Sequence, residues 1–310
     1  MAKRRKHGRD VNGILLLDKP SGVTSNHALQ RVKRLFNANK AGHTGILDPL
    51  ATGMLPICLG EATKISAYLL DGDKRYRAEC RLGMKTTTGD SEGEVISETP
   101  VPVLTPKDIE KVLTQFRGEI EQVPPMYSAL KHQGQPLYKL ARQGKEVERK
   151  PRRVTIHSLS LMAYSTDGLV LDVHCSKGTY IRTLAEDIGE CLGCGAHLTG
   201  LRRLASGPFQ DGMVTFERLE ELTGPENAAL DALLLTTDTP LRGWPEAVVG
   251  SEIAGYFRQG QAVWLPNMPT EGMLRLYERS DGQAETVFFG IGHVLDDGRI
   301  APKRLISVTK

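Results

Sequence analysis

The segment from Gly42 to Gly53 places one carboxylate in a glycine-rich turn, with a histidine five residues before it. It reads Gly-His-Thr-Gly-Ile-Leu-Asp-Pro-Leu-Ala-Thr-Gly and contains no second acid. Its glycines can adopt positive φ and bring the backbone close to a bulky ligand. Pro49 favours an extended backbone at Asp48, although an Asp-Pro pair on its own is typical of a simple turn. A lone carboxylate held in this way suggests a nucleophile.

Two patterns further along the chain can present side chains to this loop. Residues 74–82 alternate apolar and charged side chains, which predicts a half-buried strand with Tyr76 near its start. Residues 169–175 alternate in the same way and pass through Lys177 and Gly178 into a helical pattern that ends at Gly193. Tyr180 and Arg182 therefore lie at a predicted junction of strand and helix.

The remaining patterns predict a scaffold of strands and helices without a regular βαβ rhythm. Apolar residues at helical spacing predict an amphipathic helix from Ser25 to Phe36. Thr105 and Pro106 begin a second helix, which Gly118 ends. This mixture favours an α+β fold, with a mixed, mostly antiparallel central sheet flanked by helices.

A cluster of Pro240, Gly243 and Pro245 indicates a domain boundary. Beyond it, short apolar runs separated by Gly, Asp and Pro predict a small β-barrel. We therefore expect a basic, flexible arm at residues 1–10, a catalytic domain at 11–240 and a C-terminal domain at 247–310.

The charge of the chain is modest in total but uneven in distribution. Forty Lys and Arg against 37 Asp and Glu give a net charge of +3. Residues 1–40 hold ten Lys or Arg against two Asp, residues 131–153 are again basic, and residues 211–252 are mostly acidic. Two basic segments fit a localised phosphate-binding face, whereas a basic tail alone would fit an ordinary solvated surface.

Five scattered cysteines favour reduced thiols in the cytoplasm, and no apolar run is long enough to span a membrane.

The loop at 42–53 closely resembles the catalytic loop of pseudouridine synthases, in particular the TruB family, which makes pseudouridine 55 in the T loop of tRNA. Ile46 departs from the family, which often has a smaller residue there. The resemblance covers nearly the whole chain and includes residues 13–22, 59–64, 73–76 and 175–183. It implies the pseudouridine synthase fold, and residues 289–305 more weakly resemble the PUA-like RNA-binding module that follows the catalytic domain in this family.

The resemblance also implies a cofactor-free isomerisation and a role for each matching residue. Asp48 is the nucleophile, attacking either ribose C1′ or uracil C6, and Arg182 pairs with it to keep it ionised. Tyr76 stacks on the target base near C5, where a proton must leave. Stacking is the safer role, because a phenol of pKa about 10 is a weak base at neutral pH.

The same comparison supplies the substrate-binding positions. Tyr180 and Leu201 provide apolar walls around the base. The target uridine must be flipped out of its folded loop, and His43 is a candidate to occupy the vacated stacking space. The resemblance also implies that three further residues support the geometry of the site or contact the RNA backbone, namely Lys19, Lys64 and Asp90.

Competing functions rest on weaker motifs. Cys191, Cys194 and His197 form a CxxC-like group without the second pair expected of a zinc finger, and no dinucleotide or phosphate-binding glycine motif is complete. We therefore predict a monomeric enzyme that acts on the T stem-loop of tRNA, without a metal, a cofactor, a membrane or an obligatory protein partner. Two alternatives remain: the same chemistry on another RNA or within a guide complex, and an RNA-binding or RNA-remodelling protein with an idle site.

Overall fold

The computed structural model describes residues 8–224, 227–280, 282 and 284–307. The strands are, in chain order, β1 (Gly13–Lys19), β2 (Ala41–His43), β3 (Thr52–Leu59), β4 (Lys74–Leu82), β5 (Met84–Thr86), β6 (Val95–Glu98), β7 (Gly118–Gln122), β8 (Lys131–His132), β9 (Gln135–Pro136), β10 (Arg152–Tyr164), β11 (Gly168–Cys175), β12 (Ala196–Ser206), β13 (Glu246–Gly250), β14 (Met273–Arg279), β15 (Thr286–Val294) and β16 (Ile300–Leu305). The helices are α1 (Ser25–Leu35), α2 (Ser66–Leu70), α3 (Pro106–Gln115), α4 (Leu137–Ala141), α5 (Ile181–Cys191), α6 (Phe216–Glu221), α7 (Ala228–Asp231) and α8 (Ser251–Arg258), with short 3₁₀ turns at Gly60–Lys64 and Thr239–Leu241.

An eight-stranded sheet forms the centre of the molecule. Its strands run in the order β1-β3-β12-β4-β11-β10-β7, with β2 paired to β3. The pairing is antiparallel except between β12 and β3, where Arg202 and Arg203 lie opposite Thr52 and Gly53. The predicted α+β fold with a mixed, mostly antiparallel sheet is confirmed.

Local sequence signals explain the helices that cover this sheet. Thr105 caps α3 through a reciprocal capping box with Asp108, and Pro106 occupies the first turn as predicted. Helices α3 and α5 pack on β4, β10 and β11 in one apolar cluster, whereas α1 and α6 pack on β1 and β3 in another. Tyr76 and Leu201 are partly buried against both clusters. The site residues therefore lie where the two halves of the core meet.

The C-terminal strands do not close into the predicted barrel within the described residues. They form an open sheet in the order β13-β14-β15-β16, in which β13 and β14 are parallel. Residues 262–265, one of the short apolar runs from which the barrel was predicted, make only an isolated bridge, between Val263 and Ile300. Pro266 and Pro269 follow immediately and have no backbone N–H to extend a ladder.

The open sheet packs against the central one. Ile291 is buried in a cluster with Ile14 of β1 and Met54 of β3. Lys64 donates to the carbonyl of Leu305 at 2.9 Å, and Tyr277 donates to Asp238 at 2.6 Å. The C-terminal segment is thus part of the support of β1 and β3.

The basic arm predicted at the N-terminus falls partly outside the described residues, since residues 1–7 are not among them. Arg9 donates its backbone N–H to Asn37 at 2.7 Å and pairs through its guanidinium with Asp231. The predicted division of the chain into an arm and two domains stays a prediction.

Candidate active site

The loop between β2 and β3 meets β4, β12 and the start of α5 around a cavity of about 300 Å³. Its lining brings together five residues predicted from the sequence, namely Asp48, Tyr76, Tyr180, Arg182 and Leu201. The carboxylate and the guanidinium thus share a small cavity with two aromatic rings. A space of this size and lining can admit a flat heterocycle.

Glycine conformation shapes the loop that carries Asp48. Gly45 and Gly53 have φ of 86° and 94°, as the sequence suggested, whereas Gly42 lies in β2 without a positive φ. A Cβ on Gly53 would lie 2.3 Å from the carbonyl oxygen of Arg203. Gly53 is therefore required both by its φ and by the close approach of β12.

Two side chains anchor this loop to the body of the protein. Ser25 accepts a hydrogen bond from Leu47 N at 2.8 Å and donates to Leu47 O at 2.9 Å. The buried Lys19 donates to Pro49 O at 3.3 Å, and to Pro20 O and Val23 O at shorter distances. Burial lowers the pKa of Lys19 to about 8, with Asp48 acting against that effect. The backbone on both sides of Asp48 is thereby held in place.

Arg182 holds the Asp48 carboxylate in one orientation. Its Nε lies 3.1 Å from Asp48 Oδ2, and its side chain is only 7% exposed. Its Nη1 donates to Thr88 O at 2.8 Å and its Nη2 to Tyr127 O at 2.7 Å. Asp90 is also buried and lies 3.5 Å from Nη1. The guanidinium is fixed by backbone carbonyls, so its position does not depend on Asp48 alone.

The charge on Asp48 is balanced between opposing influences. Burial raises the pKa of its carboxyl, the Arg182 guanidinium lowers it, and the neighbouring Asp90 raises it. Their net effect raises the pKa of Asp48 from the ordinary value for Asp. Arg182 therefore limits a shift that burial would otherwise make larger.

The two tyrosines form walls of the cavity and keep their protons at neutral pH. Burial raises the pKa of the Tyr76 phenol, and the charge of Arg203 acts against this increase. Burial also raises the pKa of Tyr180. Gln122 of β7 positions Tyr180 by accepting from its backbone N–H at 3.1 Å and donating to its carbonyl at 3.3 Å. Both rings are suited to stacking, and neither is an ionised base in the resting protein.

Four predicted site residues lie outside the cavity lining, namely Lys19 and Asp90, described above, and His43 and Lys64. His43 ends β2, and burial, assisted by Arg203, lowers the pKa of its imidazole. Lys64 pairs with Glu61 at 2.6 Å and contacts the C-terminal segment through Leu305. A substrate-binding role for these four residues stays a prediction.

Sequence reasoning missed Arg203 and Gln122. Arg203 lines the cavity and is 1% exposed, and Gln122 is 2% exposed. Alternation along β12 could have revealed Arg203, because Leu201 lies two positions earlier and faces the same cavity. No local pattern marks Gln122, whose partner is 58 residues away.

Within the described residues, no group of three or more His, Cys, Asp or Glu side chains is placed to hold a metal ion. Cys191 is exposed, and Nδ1 of the buried His197 lies 3.0 Å from Met84 O. No helix in the described parts of the chain is both long enough and apolar enough to cross a bilayer.

Comparison with known families identifies the class of protein to which this site belongs. Residues 33–181 match the TruB family pseudouridylate synthase N-terminal domain. Residues 182–242 match the tRNA pseudouridylate synthase B C-terminal domain, and residues 245–306 match the pseudouridine synthase II TruB C-terminal domain. The chain belongs to the TruB family of pseudouridylate synthases.

Individual relatives agree with this assignment over almost their full lengths. The tRNA pseudouridine synthase B of Nitrosococcus oceani is 56% identical, with 98% of this chain and 97% of the relative covered. The proteins of the same name from Coxiella burnetii and Yersinia enterocolitica are 56% and 54% identical, with 96% and 99% of this chain and 96% and 94% of each relative covered.

Solved structures share the fold at lower identity. A Cbf5-Nop10-Gar1 complex contains a chain with a TM-score of 0.68 and 24% identity, over 96% of this chain and 84% of the other. An H/ACA RNP bound to a substrate RNA containing 2′-deoxyuridine contains one with a TM-score of 0.70 and 19% identity, over 99% and 92%. These likenesses concern the fold alone.

Proposed function

We propose that the protein isomerises uridine to pseudouridine in the T loop of tRNA. The observation that carries this proposal is the 3.1 Å pair between Arg182 and Asp48 at a cavity walled by aromatic rings. Relatives at 51–56% identity, all named tRNA pseudouridine synthase B, support it over a synthase for another RNA.

Asp48 acts as the nucleophile in this proposal. Its carboxylate attacks ribose C1′ or uracil C6, the N1–C1′ bond breaks, C5 of the turned base joins C1′, and the bond to Asp48 is broken. C5 then loses its proton and N1 gains one, so that the product is an isomer of uridine. An ionised carboxylate needs no partner base to activate it. Arg182 keeps the carboxylate oriented and opposes the increase of its pKa on burial. Asp90 and Lys19 support the geometry of Arg182 and of the loop.

The uridine is held in the cavity after being flipped out of the RNA. Tyr76 stacks on the base, and Tyr180 and Leu201 complete its walls. His43 occupies the space that the base leaves in the RNA, and its low pKa favours a neutral ring able to stack. Lys64 contributes indirectly, through the C-terminal segment that it contacts.

RNA binding extends over two further parts of the chain. The basic segment 131–153 provides phosphate contacts near the cavity, and Lys303 and Arg304 provide exposed charge on β16. We propose that residues 247–310 act as an auxiliary RNA-binding unit beside a catalytic unit of residues 11–240. The protein acts as a monomer in the cytoplasm, where its free cysteines, four of them buried, stay reduced.

The test is conversion of an isolated T stem-loop by the pure protein. We expect pseudouridine at the target position when the chemically labelled product is sequenced. RNA binding without conversion would favour the RNA-remodelling alternative, and conversion only within a larger complex would favour a guide-dependent enzyme.

A second arm tests whether the reaction needs a metal. Protein dialysed against a chelator should release the C5 hydrogen of uridine at an unchanged rate. Activity lost on dialysis and restored by zinc would instead implicate Cys191, Cys194 and His197.

A further inference from the structure

Arg203 is a buried guanidinium without a carboxylate partner in the described chain. Among the described residues it is the largest fully buried side chain, at 1% exposure. Its Nε donates to Met54 O at 2.7 Å, but its Nη2 is buried and has no hydrogen-bond partner among the described residues. Burying a charge without a paired group is costly. We therefore expect Arg203 to interact with a group that is present or charged only during the reaction.

The sheet places Arg203 beside Tyr76. The two residues are directly opposite each other in the antiparallel pair of β12 and β4. Side chains of such partners lie on the same face, with Cβ atoms about 5 Å apart. Both residues line the cavity that contains Asp48. The preceding Arg202 points to the other face and pairs with Asp18 at 2.7 and 2.9 Å.

The charge of Arg203 acts on several groups around the cavity, among them Tyr76, His43 and Lys74. Burial raises the pKa of the Tyr76 phenol, and Arg203 is the largest influence that lowers it. After burial, Arg203 also has the largest effect on the pKa of His43. Arg182 contacts Asp48 at one side of the cavity, and Arg203 contributes a positive charge at the side that contains Tyr76. A fixed cation of this kind stabilises negative charge that develops during a reaction.

We propose that Arg203 is a positioning residue that acts through Tyr76, orienting the phenol oxygen and stabilising negative charge on it while the C5 proton is removed. This inference rests on the proposed function. The step follows the joining of C5 to C1′. The C5–H bond breaks and its proton goes to the phenol oxygen of Tyr76, which releases its own proton to water in the same step. The C5–H electron pair forms the C5=C6 bond, the C6=N1 double bond becomes a single bond, and N1 takes a proton from water.

The test is single-turnover conversion of a saturating T stem-loop that carries either uridine or 5-deuterated uridine. Arg203→Met should lower the rate at least about tenfold, as expected when proton transfer loses its support. The deuterium isotope effect should increase relative to the wild type, because removal of the C5 proton becomes more nearly rate-limiting. Affinity for the RNA should change little.

Arg202→Met is the matched control, because it removes the neighbouring arginine from the opposite face. It should leave the isotope effect unchanged. Arg203→Lys keeps a charge and should give an intermediate rate, again with an increased isotope effect. Thermal unfolding would show whether Arg203→Met folds. If it does not, Arg203→Lys provides the test instead.

A double-substitution cycle tests the route through Tyr76. If Arg203 acts through the phenol, adding Arg203→Met to Tyr76→Phe should cost little further rate. Losses that multiply in the double variant, or an isotope effect equal to that of the wild type in both Arg203 variants, would overturn the inference. A wild-type protein that makes no pseudouridine would instead overturn the proposed function.

Discussion

At the scale of single residues, the site consists of a carboxylate and two arginines whose charges serve different parts of one cavity. Arg182 is fixed by the carbonyls of Thr88 and Tyr127 and leaves its Nε to Asp48. Arg203 is fixed by the carbonyl of Met54 and leaves Nη2 without a partner in the described chain. Each cation is therefore placed by backbone atoms before the substrate arrives, so no reorganisation is needed during reaction.

Removing the charge of Asp48 should abolish the chemistry while preserving the shape of the site. Asp48→Asn loses the proposed nucleophile, and we expect single-turnover conversion to fall about a thousandfold or more, with RNA affinity nearly unchanged. Rapid-quench assays at saturating RNA would measure the rate. A rate within about tenfold of the wild type would contradict a nucleophilic role.

The acid limb of the pH–rate profile should report the pKa of Asp48. A carboxyl nucleophile reacts only when ionised, so the rate should fall as the pH falls through its pKa, which burial and Asp90 raise from the ordinary value for Asp. Asp90→Asn removes one of the charges that raise it, so the limb should move to lower pH.

Asp172→Asn is the control for this pH shift, because Asp172 pairs with the exposed Arg75. It should leave the profile in place. An acid limb that stays fixed or moves to higher pH in Asp90→Asn would show that Asp90 does not raise the pKa of the reacting group.

At the scale of elements, the spacing of apolar residues correctly predicted those strands and helices that the local sequence determines. Strand β4 and helix α5 form at the predicted residues, because alternation and capping residues lie within the elements themselves. Strand β13 was missed, since it is short and is stabilised by parallel pairing with β14, which lies about 25 residues further along the chain. Arg203 was missed for a different reason, because residues 196–206 were not predicted as a strand. Only alternation along that strand from Leu201 distinguishes Arg203 from the adjacent Arg202.

The contact between β3 and β12 gives a prediction at this scale. Gly53→Ala would place a Cβ 2.3 Å from Arg203 O at a φ of 94°. The strands would have to separate, and we expect a loss of more than about 1 kcal/mol in the free energy of unfolding. Gly118→Ala is the matched control, since Gly118 has a φ of 87° with no atom within 4 Å of the added Cβ.

Chemical denaturation would compare the two glycine variants. Equal losses would show that backbone strain alone accounts for the effect, without a close approach of the strands. We also expect Gly53→Ala to slow catalysis, because Gly53 joins the Asp48 loop to the strand beside Arg203.

At the scale of the whole molecule, the C-terminal sheet has a structural role that deletion cannot separate from its proposed role in RNA binding. Its Ile291 is buried with Ile14 of β1 and Met54 of β3, the strand that follows the Asp48 loop and pairs with β1. Removing residues 247–310 would expose this apolar surface and destabilise β1 and β3. A truncated protein would therefore lose activity whether or not the segment binds RNA.

Substituting exposed charges tests RNA binding by the C-terminal segment without disturbing this packing. Lys303 and Arg304 are exposed on β16. Replacing both with Gln should weaken RNA binding and reduce the slope of log affinity against log salt by about 1 to 2, because fewer counterions are released. Saturating single-turnover chemistry should stay at the wild-type rate, since every residue placed at the cavity precedes Pro245. Arg299→Gln is the control, because Arg299 is already paired with Asp297 at 2.7 Å and should contribute less to the salt slope. An unchanged slope in the Lys303 and Arg304 variant would assign β16 a structural role only.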